Sequence, residues 1–286
     1  MPTVLTVGSL HYDIMVLADH LPRRDETAIG RCWYPKFGGK GGNQAVAAAK
    51  AGAVSRMVGA VGADGFGTFL RDHLGQAGVD GRFVATVPQV GSGMSVAIQD
   101  AGGDYAATIV SGANLHIAPE ALADPAVWHG VGLLVLQNEV PEAVNLAAAT
   151  AARGRGIRSL LNAAPYRPLS DALRPLIDIL VVNAVEAEMM GTAPVRDLLG
   201  AVVAARALAQ QFATVIVTAG AAGLAACAAG ARLDLPALPV QVVSSHGAGD
   251  AFIGTLASCL AAGDDLEPSC RAASVAAARH VAGQAG

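Results

Sequence analysis

Ser244-Ser245-His246-Gly247-Ala248-Gly249-Asp250-Ala251-Phe252 reads as the end of a strand, a glycine turn and the start of a helix that is apolar on nearly every face. A turn of this kind leaves the N–H groups of Gly247, Ala248 and Gly249 unpaired at a helix N-terminus, where the macrodipole favours an anion. A single carboxylate, Asp250, stands in that anion site. An acid repels a phosphate, so a loop built only to bind anions gains nothing from it. An acid that takes a proton from an attacking hydroxyl, while the loop holds a phosphoryl group, has a use there. The plain alternative is a helix start with Asp in its first turn.

Around this corner the chain alternates. Strands are expected over residues 4–7, 54–61, 133–136, 157–161, 177–182 and 214–218, and helices over 43–51, 67–77, 141–153 and 195–211. Strand–helix alternation of this kind builds a doubly wound α/β fold, a mostly parallel sheet flanked by helices on both faces. Residues 94–98 and 105–110 alternate as a hairpin around Ala101-Gly102-Gly103, and 13–37 is mixed and resembles no helix. These two stretches break the pattern and are expected as strands leaving the sheet edge, a small β lid over about 11–37 and 92–111 of one domain spanning 1–286. Gly8, Asn138, Asn162, Asn183, Thr218 and Ser244 follow or end expected strands, which gathers them on one rim, where ligands bind in open α/β sheets.

Composition narrows the partners. The 286 residues are 53% hydrophobic and 15% charged, enough to bury a large core, with a net charge of −4. There is no Lys/Arg run and few aromatics, which argues against nucleic acid as a partner. An acidic chain that holds an acidic ligand does so through local donors and metal ions. The four cysteines form no CxxC pair and read as reduced thiols. No basic n-region opens the chain, so a signal peptide is not expected. Residues 207–231 carry no charge over a membrane-spanning length, yet Gln210, Gln211 and the β-branched 214–218 read as a helix end, a buried strand and a glycine turn. A soluble, cytoplasmic protein is expected.

A second glycine string, Gly38-Gly39-Lys40-Gly41-Gly42-Asn43-Gln44-Ala45, lets backbone approach a ligand closely, while Lys40 and Asn43 offer donors to hydroxyls. Asn183-Ala184-Val185-Glu186 places Asn and Glu on one face of a helix start, suiting either water-mediated magnesium binding or a capping box. Thr218-Ala219-Gly220-Ala221-Ala222-Gly223 is a strand-end turn that could cradle a nucleotide through Thr218, Gly220 and Gly223. Neither GxxxxGK[ST] nor a GxGxxG in strand–turn–helix context occurs, which removes the P-loop and makes a nicotinamide oxidoreductase a poor reading.

GGKGGNQA at 38–45 and GAGDAF at 247–252 resemble the two signatures of the PfkB carbohydrate kinases, the ribokinase-like family. Asn183-x-x-Glu186 is similar to its NxxE motif, Asn162-Ala163-Ala164-Pro165 to its NPAP-type strand end, and Gly112-Ala113-Asn114 to the GAN that ends its lid. The resemblance runs in order over nearly the whole chain. It implies Asp250 as the base that activates a sugar hydroxyl, with Gly247, Ala248 and Gly249 as the anion hole. It implies that Asp13, Gly39, Lys40, Asn43 and Glu139 hold the sugar, with His11 beside them. Asn183 and Glu186 would order magnesium and phosphate, Glu186 through water, and Thr218 and Gly220 would lie along ATP. It also implies activation by potassium and a homodimer formed through the lid.

Two positions depart from that pattern. Where the family usually has Asp beside its potassium site, this chain has the neutral Ser244; where ribose kinases usually have Asn, it has His11, larger and titratable near neutral pH. The family also usually continues beyond the point reached at Gly286, with part of the cation loop. The expected activity is ATP-dependent phosphorylation of a primary hydroxyl on ribose or a related furanose. A nucleoside kinase of the same family, with His11, Trp33, Tyr34 and Phe37 near the base, and a non-catalytic sugar sensor are the alternatives.

Overall fold

The computed structural model describes residues 2–102 and 105–284. In chain order its elements are β1 (Thr3–Val7), β2 (His11–Ala18), β3 (Gly30–Gly38), α1 (Lys40–Lys50), β4 (Val54–Gly62), α2 (Gly65–Gln76), β5 (Val79–Val87), β6 (Met94–Gln99), β7 (Tyr105–Val110), β8 (Val131–Gln137), α3 (Glu142–Arg153), β9 (Arg158–Asn162), β10 (Ile179–Asn183), α4 (Ala184–Met189), α5 (Leu198–Leu208), β11 (Thr214–Thr218), β12 (Leu224–Ala228), β13 (Ala231–Leu235), α6 (Ala248–Ala262) and α7 (Leu266–Val281). Gly103, part of the expected hairpin turn, lies outside the described residues.

The main sheet runs β13-β12-β11-β10-β9-β8-β1-β4-β5. Seven strands, β11 through β5, are mutually parallel, while β12 pairs antiparallel with β11 and β13 antiparallel with β12. Alternate residues of each central strand feed opposite cores. Leu5, Leu134, Leu161, Leu180 and Val215 face the core shared with α3 and α5. Val4, Leu133, Leu160, Ile179 and Ile216 face the core shared with α1, α6 and α7. Burial on both faces explains strands that read as continuous apolar runs. Truncating a fully buried leucine such as Leu133 to Ala costs about 2–5 kcal/mol in such a core.

A second sheet, ordered β3-β2-β6-β7, stands apart from the first and is built from the two stretches that broke the alternation. One expectation fails. No strand ends at Ser244: β13 closes at Leu235, and 236–247 is irregular and largely exposed. The β-branched Val242 and Val243 just ahead of Ser244 are 66% and 71% exposed, and their backbone pairs with no sheet edge.

Candidate active site

α6 begins at Ala248 because Gly247, its N-cap, takes φ 90°, a left-handed turn that glycine adopts without strain. The helix is apolar and runs between α1 and α7. Its contact with α1 depends on Gly254: a Cβ there would lie 2.6 Å from the backbone N of Ala48 and the O of Gln44. That close crossing brings the first turn of α1 against the first turn of α6. Asn43 Nδ2 donates to Asp250 Oδ2 at 3.1 Å, and Gln44 Nε2 donates to Oδ1 at 3.0 Å. Gln44 Nε2 also reaches Asn162 Oδ1 at 3.1 Å, tying the pair to the rim of β9. Burial pushes the Asp250 carboxyl above the ordinary carboxylate range, while Lys40, Gln44 and Asn43 pull the other way. The Ala248 amide donates to Ser245 O at 3.3 Å, so of the three expected anion-hole amides this one is already engaged in the turn.

The lid side of Asp250 is a row of buried polar groups. Asp13, on β2, is 9% exposed and accepts from Ser95 Oγ of β6 at 2.5 Å. Gly38, at the end of β3, lies so near that a Cβ there would overlap the Asp13 carboxylate. Glu139, just past β8, accepts from Ser9 Oγ at 2.5 Å and from the Lys40 amide at 2.8 Å. His11 lies 3.9 Å from Glu139 through Nδ1, and its Nε2 is buried with no protein partner. Asn114 bonds both the N and the O of Leu10, fixing the turn between β1 and β2. Gly39 precedes α1 with φ 84°, bringing Lys40 and Asn43 beside these carboxylates.

On the other side a cavity of about 120 Å³ is lined by Lys40, Asn162, Asn183, Glu186, Thr218, Gly247, Gly249 and Asp250. Asn183 and Glu186 form a complete capping box at the start of α4: Asn183 Oδ1 accepts from the Glu186 amide and Glu186 Oε2 from the Asn183 amide, both at 2.8 Å. Burial pushes the Glu186 carboxyl up, against the pull of that hydrogen bond and of Lys40. The capping-box reading of the NxxE string holds, and the Glu186 carboxylate it orients lines the cavity. Thr218 pairs with Asn183 across β10 and β11, while Gly220 and Gly223 lie in the turn beyond, outside this cavity's lining. Ser244 borders neither this cavity nor the larger one, of about 810 Å³, that opens between α1, α6 and α7.

Sequence reasoning passed over Gln44, Ser9, Ser95, Lys36 and His246. Gln44 adjoins Asn43 in the glycine string and was legible; Ser95 in its lid strand gave no signal. His246, exposed on its loop, sits among Lys36, Asp13, Asp250 and Lys40, and local desolvation, with Lys36, holds its imidazole below the usual range. Among the described residues no cluster of three or more His, Cys, Asp or Glu side chains could hold a metal by itself.

A carboxylate whose pKa is raised by burial, aimed by two amides, lies between the polar groups of the lid side and a cavity at a helix N-terminus. That arrangement serves transfer of an anionic group to a hydroxyl. The profile of the pfkB family carbohydrate kinases matches residues 1–284. Ribokinase of Bacillus subtilis is 33% identical over 98% of this chain and 93% of its own length, and mouse ribokinase is 35% identical over 90% and 81%. Deoxyribokinase of Salmonella typhi is 32% identical over 98% and 93%. Among solved structures, Arabidopsis thaliana ribokinase complexed with ribose and ATP superposes with a TM-score of 0.90 at 28% identity, covering 98% of this chain and 92% of that one. Cryptococcus neoformans ribokinase with ADP gives 0.86 at 28% identity, covering 98% and 94%. With its signature strings folded into one corner and relatives alike over nearly its full length, the chain belongs to the pfkB family of carbohydrate kinases.

Proposed function

We propose that this protein transfers the γ-phosphoryl group of ATP to a primary hydroxyl of ribose or a closely related furanose. The observation that carries the reading is the Asp250 carboxylate, held by Asn43 and Gln44 at the mouth of α6 on the wall of a polar cavity. Asp13 and Glu139 accept hydrogen bonds from ring hydroxyls, Asn43 and Lys40 donate, and His11 offers its unpartnered Nε2. The sugar hydroxyl gives its proton to Asp250 as its oxygen attacks phosphorus, and ADP leaves along Thr218 and the 220–223 turn. Amides at the start of α6, Gly249 among them, meet the charge on the transferring group without reorganisation. Lys40 faces the same cavity with a positive charge.

Magnesium fits the donor set around Glu186, whose buried carboxylate and capping-box partner Asn183 would hold the ion's water shell, and the ion would supply charge neutralisation on the phosphates. The lid sheet shields the acceptor from water, which would otherwise compete for the phosphoryl group. The apolar side chains it exposes, with Trp33 62%, Ile109 57% and Tyr34 45% exposed, support a homodimer formed through the lid; sedimentation of the purified protein tests it. Four free cysteines and the lack, among the described residues, of any helix long and apolar enough to cross a membrane support a cytoplasmic protein.

The nucleoside alternative is weakened by Phe37, which is buried and stacked on His73 at 4.2 Å and so is committed to packing. A coupled ADP assay over pentoses, hexoses and nucleosides separates the readings. ADP release with ribose or deoxyribose is expected. Sugar binding by calorimetry with no ADP release under saturating ATP and magnesium would overturn the reading in favour of a sensor.

A further inference from the structure

The loop that presents the anion hole, 236–247, has no regular structure of its own. Three hydrogen bonds cross from it, and they end on the last turn of α7. Val243 N and Ser244 N both donate to Val281 O, at 2.8 and 3.2 Å, and His280 Nε2 donates to His246 O at 2.9 Å. His280 also sits against the turn itself, since a Cβ on Gly247 would lie 2.9 Å from its Nε2. Resemblance to the family implies a potassium ion beside Ser244, and the residues here do not fit one. Ser244 carries no charge, the carbonyl of His246 is engaged by an imidazole N–H, and the carbonyl of Val281 accepts two amides. A cation needs such oxygens free to donate lone pairs.

We infer that His280 is a positioning residue that fixes the anion-hole loop from the end of α7, in place of a monovalent cation. The inference rests on the kinase reading above and names what holds its anion hole in register. His280 suits the place twice over. A cationic or donor side chain in the last turn of a helix is favoured by the macrodipole. Its Nε2–H is present both in the neutral tautomer this contact requires and in the imidazolium, so the tie survives protonation.

The test uses the whole protein with His280→Ala and His280→Gln, the second keeping an N–H donor at similar reach. Hydrogen exchange of the amides over 243–249 is expected to speed about tenfold in His280→Ala, the order expected for loss of one hydrogen bond. kcat is expected to fall about as much while the sugar KM stays within about twofold, and Gln restores both. Wild-type kcat is expected to vary by less than about threefold between potassium, sodium and tetramethylammonium salts at fixed ionic strength, since no cation completes the loop. Wild-type exchange in His280→Ala, or a wild-type rate that rises about tenfold on adding potassium, overturns the inference. The exchange measurement decides the loop's anchoring even where no acceptor is turned over, an outcome that would sink the kinase reading alone.

Discussion

Asp250→Asn puts the proposed chemistry at risk most directly. The substitution keeps shape and removes the proton acceptor. In the folded protein both side chains that touch the carboxylate are amide donors, Asn43 Nδ2 and Gln44 Nε2. The carboxamide that replaces the carboxylate offers them one acceptor oxygen instead of two, so one hydrogen bond is lost, about 1 kcal/mol. Burial works the other way. The folded-state pKa of Asp250 is raised, so the ionised carboxylate is disfavoured in the native state and its neutral form is the one folding prefers. Such a group contributes stability below its unfolded pKa that is lost as pH rises through the folded one. At pH 7 the neutral isostere is free of any such penalty, so the two effects oppose one another and the loss of stability is at most about 1 kcal/mol, a Tm fall of roughly 2–4 °C at most. Activity should respond on another scale: kcat falls at least about 100-fold, or about 2.7 kcal/mol in the barrier, the lower end of general-base catalysis. The wild-type acidic limb of kcat/KM should lie above the ordinary carboxylate range, with activity rising as Asp250 ionises, and should vanish in the variant. Turnover within tenfold of wild type with an unchanged melting curve would refute the role of Asp250.

Other substitutions probe each part separately. A Cβ on Gly249 meets no protein atom within 4 Å, so Gly249→Val should fold normally and fill the space reserved for phosphate, lowering kcat about 100-fold, as loss of one oxyanion donor does; unchanged kcat and ATP KM by steady-state assay would contradict it. Ser95→Ala removes the hydroxyl that aims Asp13, so the sugar KM should rise about fivefold to tenfold with the ATP KM unmoved; equal effects on both substrates would count against an acceptor role for Asp13. Arg56 is 6% exposed and bonds Asp80 and the carbonyls of Val127 and His129, so Arg56→Ala should cost about 3–5 kcal/mol by urea unfolding. Hydrogen bonds from Arg82 and then Arg56 hold the Asp80 carboxyl far below its ordinary value, so its stabilisation is present above about pH 4 and is lost on acidification; Asp80→Asn should flatten that acid limb of the Tm–pH curve, and an unchanged limb would assign it elsewhere.

The central fold was legible because its strands bury both faces and its helices one. What escaped is α7, which packs on α6, and the strands at the sheet's margins. β5 reads Val-Asp-Gly-Arg-Phe-Val-Ala-Thr-Val, with only Val79 and Val84 fully buried, so neither an apolar run nor a clean alternation marks an edge strand covered by α2 on one side. β12 is Leu-Ala-Ala-Cys-Ala, whose small residues carry little strand preference. It is a strand because β11 offers it an open edge and α5 packs over it, and neither partner is visible in five residues.

The site shows the same division more sharply. Each glycine string announced its own turn, but Asn43 and Asp250 are 207 positions apart, and what joins them is the α1–α6 crossing at Gly254, a glycine with no local signature. That crossing also bears on the basicity proposed for Asp250. Had the packing set the Lys40 ammonium directly on the carboxylate, the ion pair would have held it ionised and weakly basic. Two neutral amides instead orient both oxygens with a smaller pull, and burial outweighs the more distant Lys40. A proton acceptor must be willing to take a proton during the reaction, and a pKa raised by burial serves that need. On the proposed mechanism Gln44→Lys should restore an ordinary or lowered pKa, move the acidic limb of the rate profile to lower pH and reduce kcat, and a limb left where it was would show that burial without a direct ion pair does not set the basicity of Asp250.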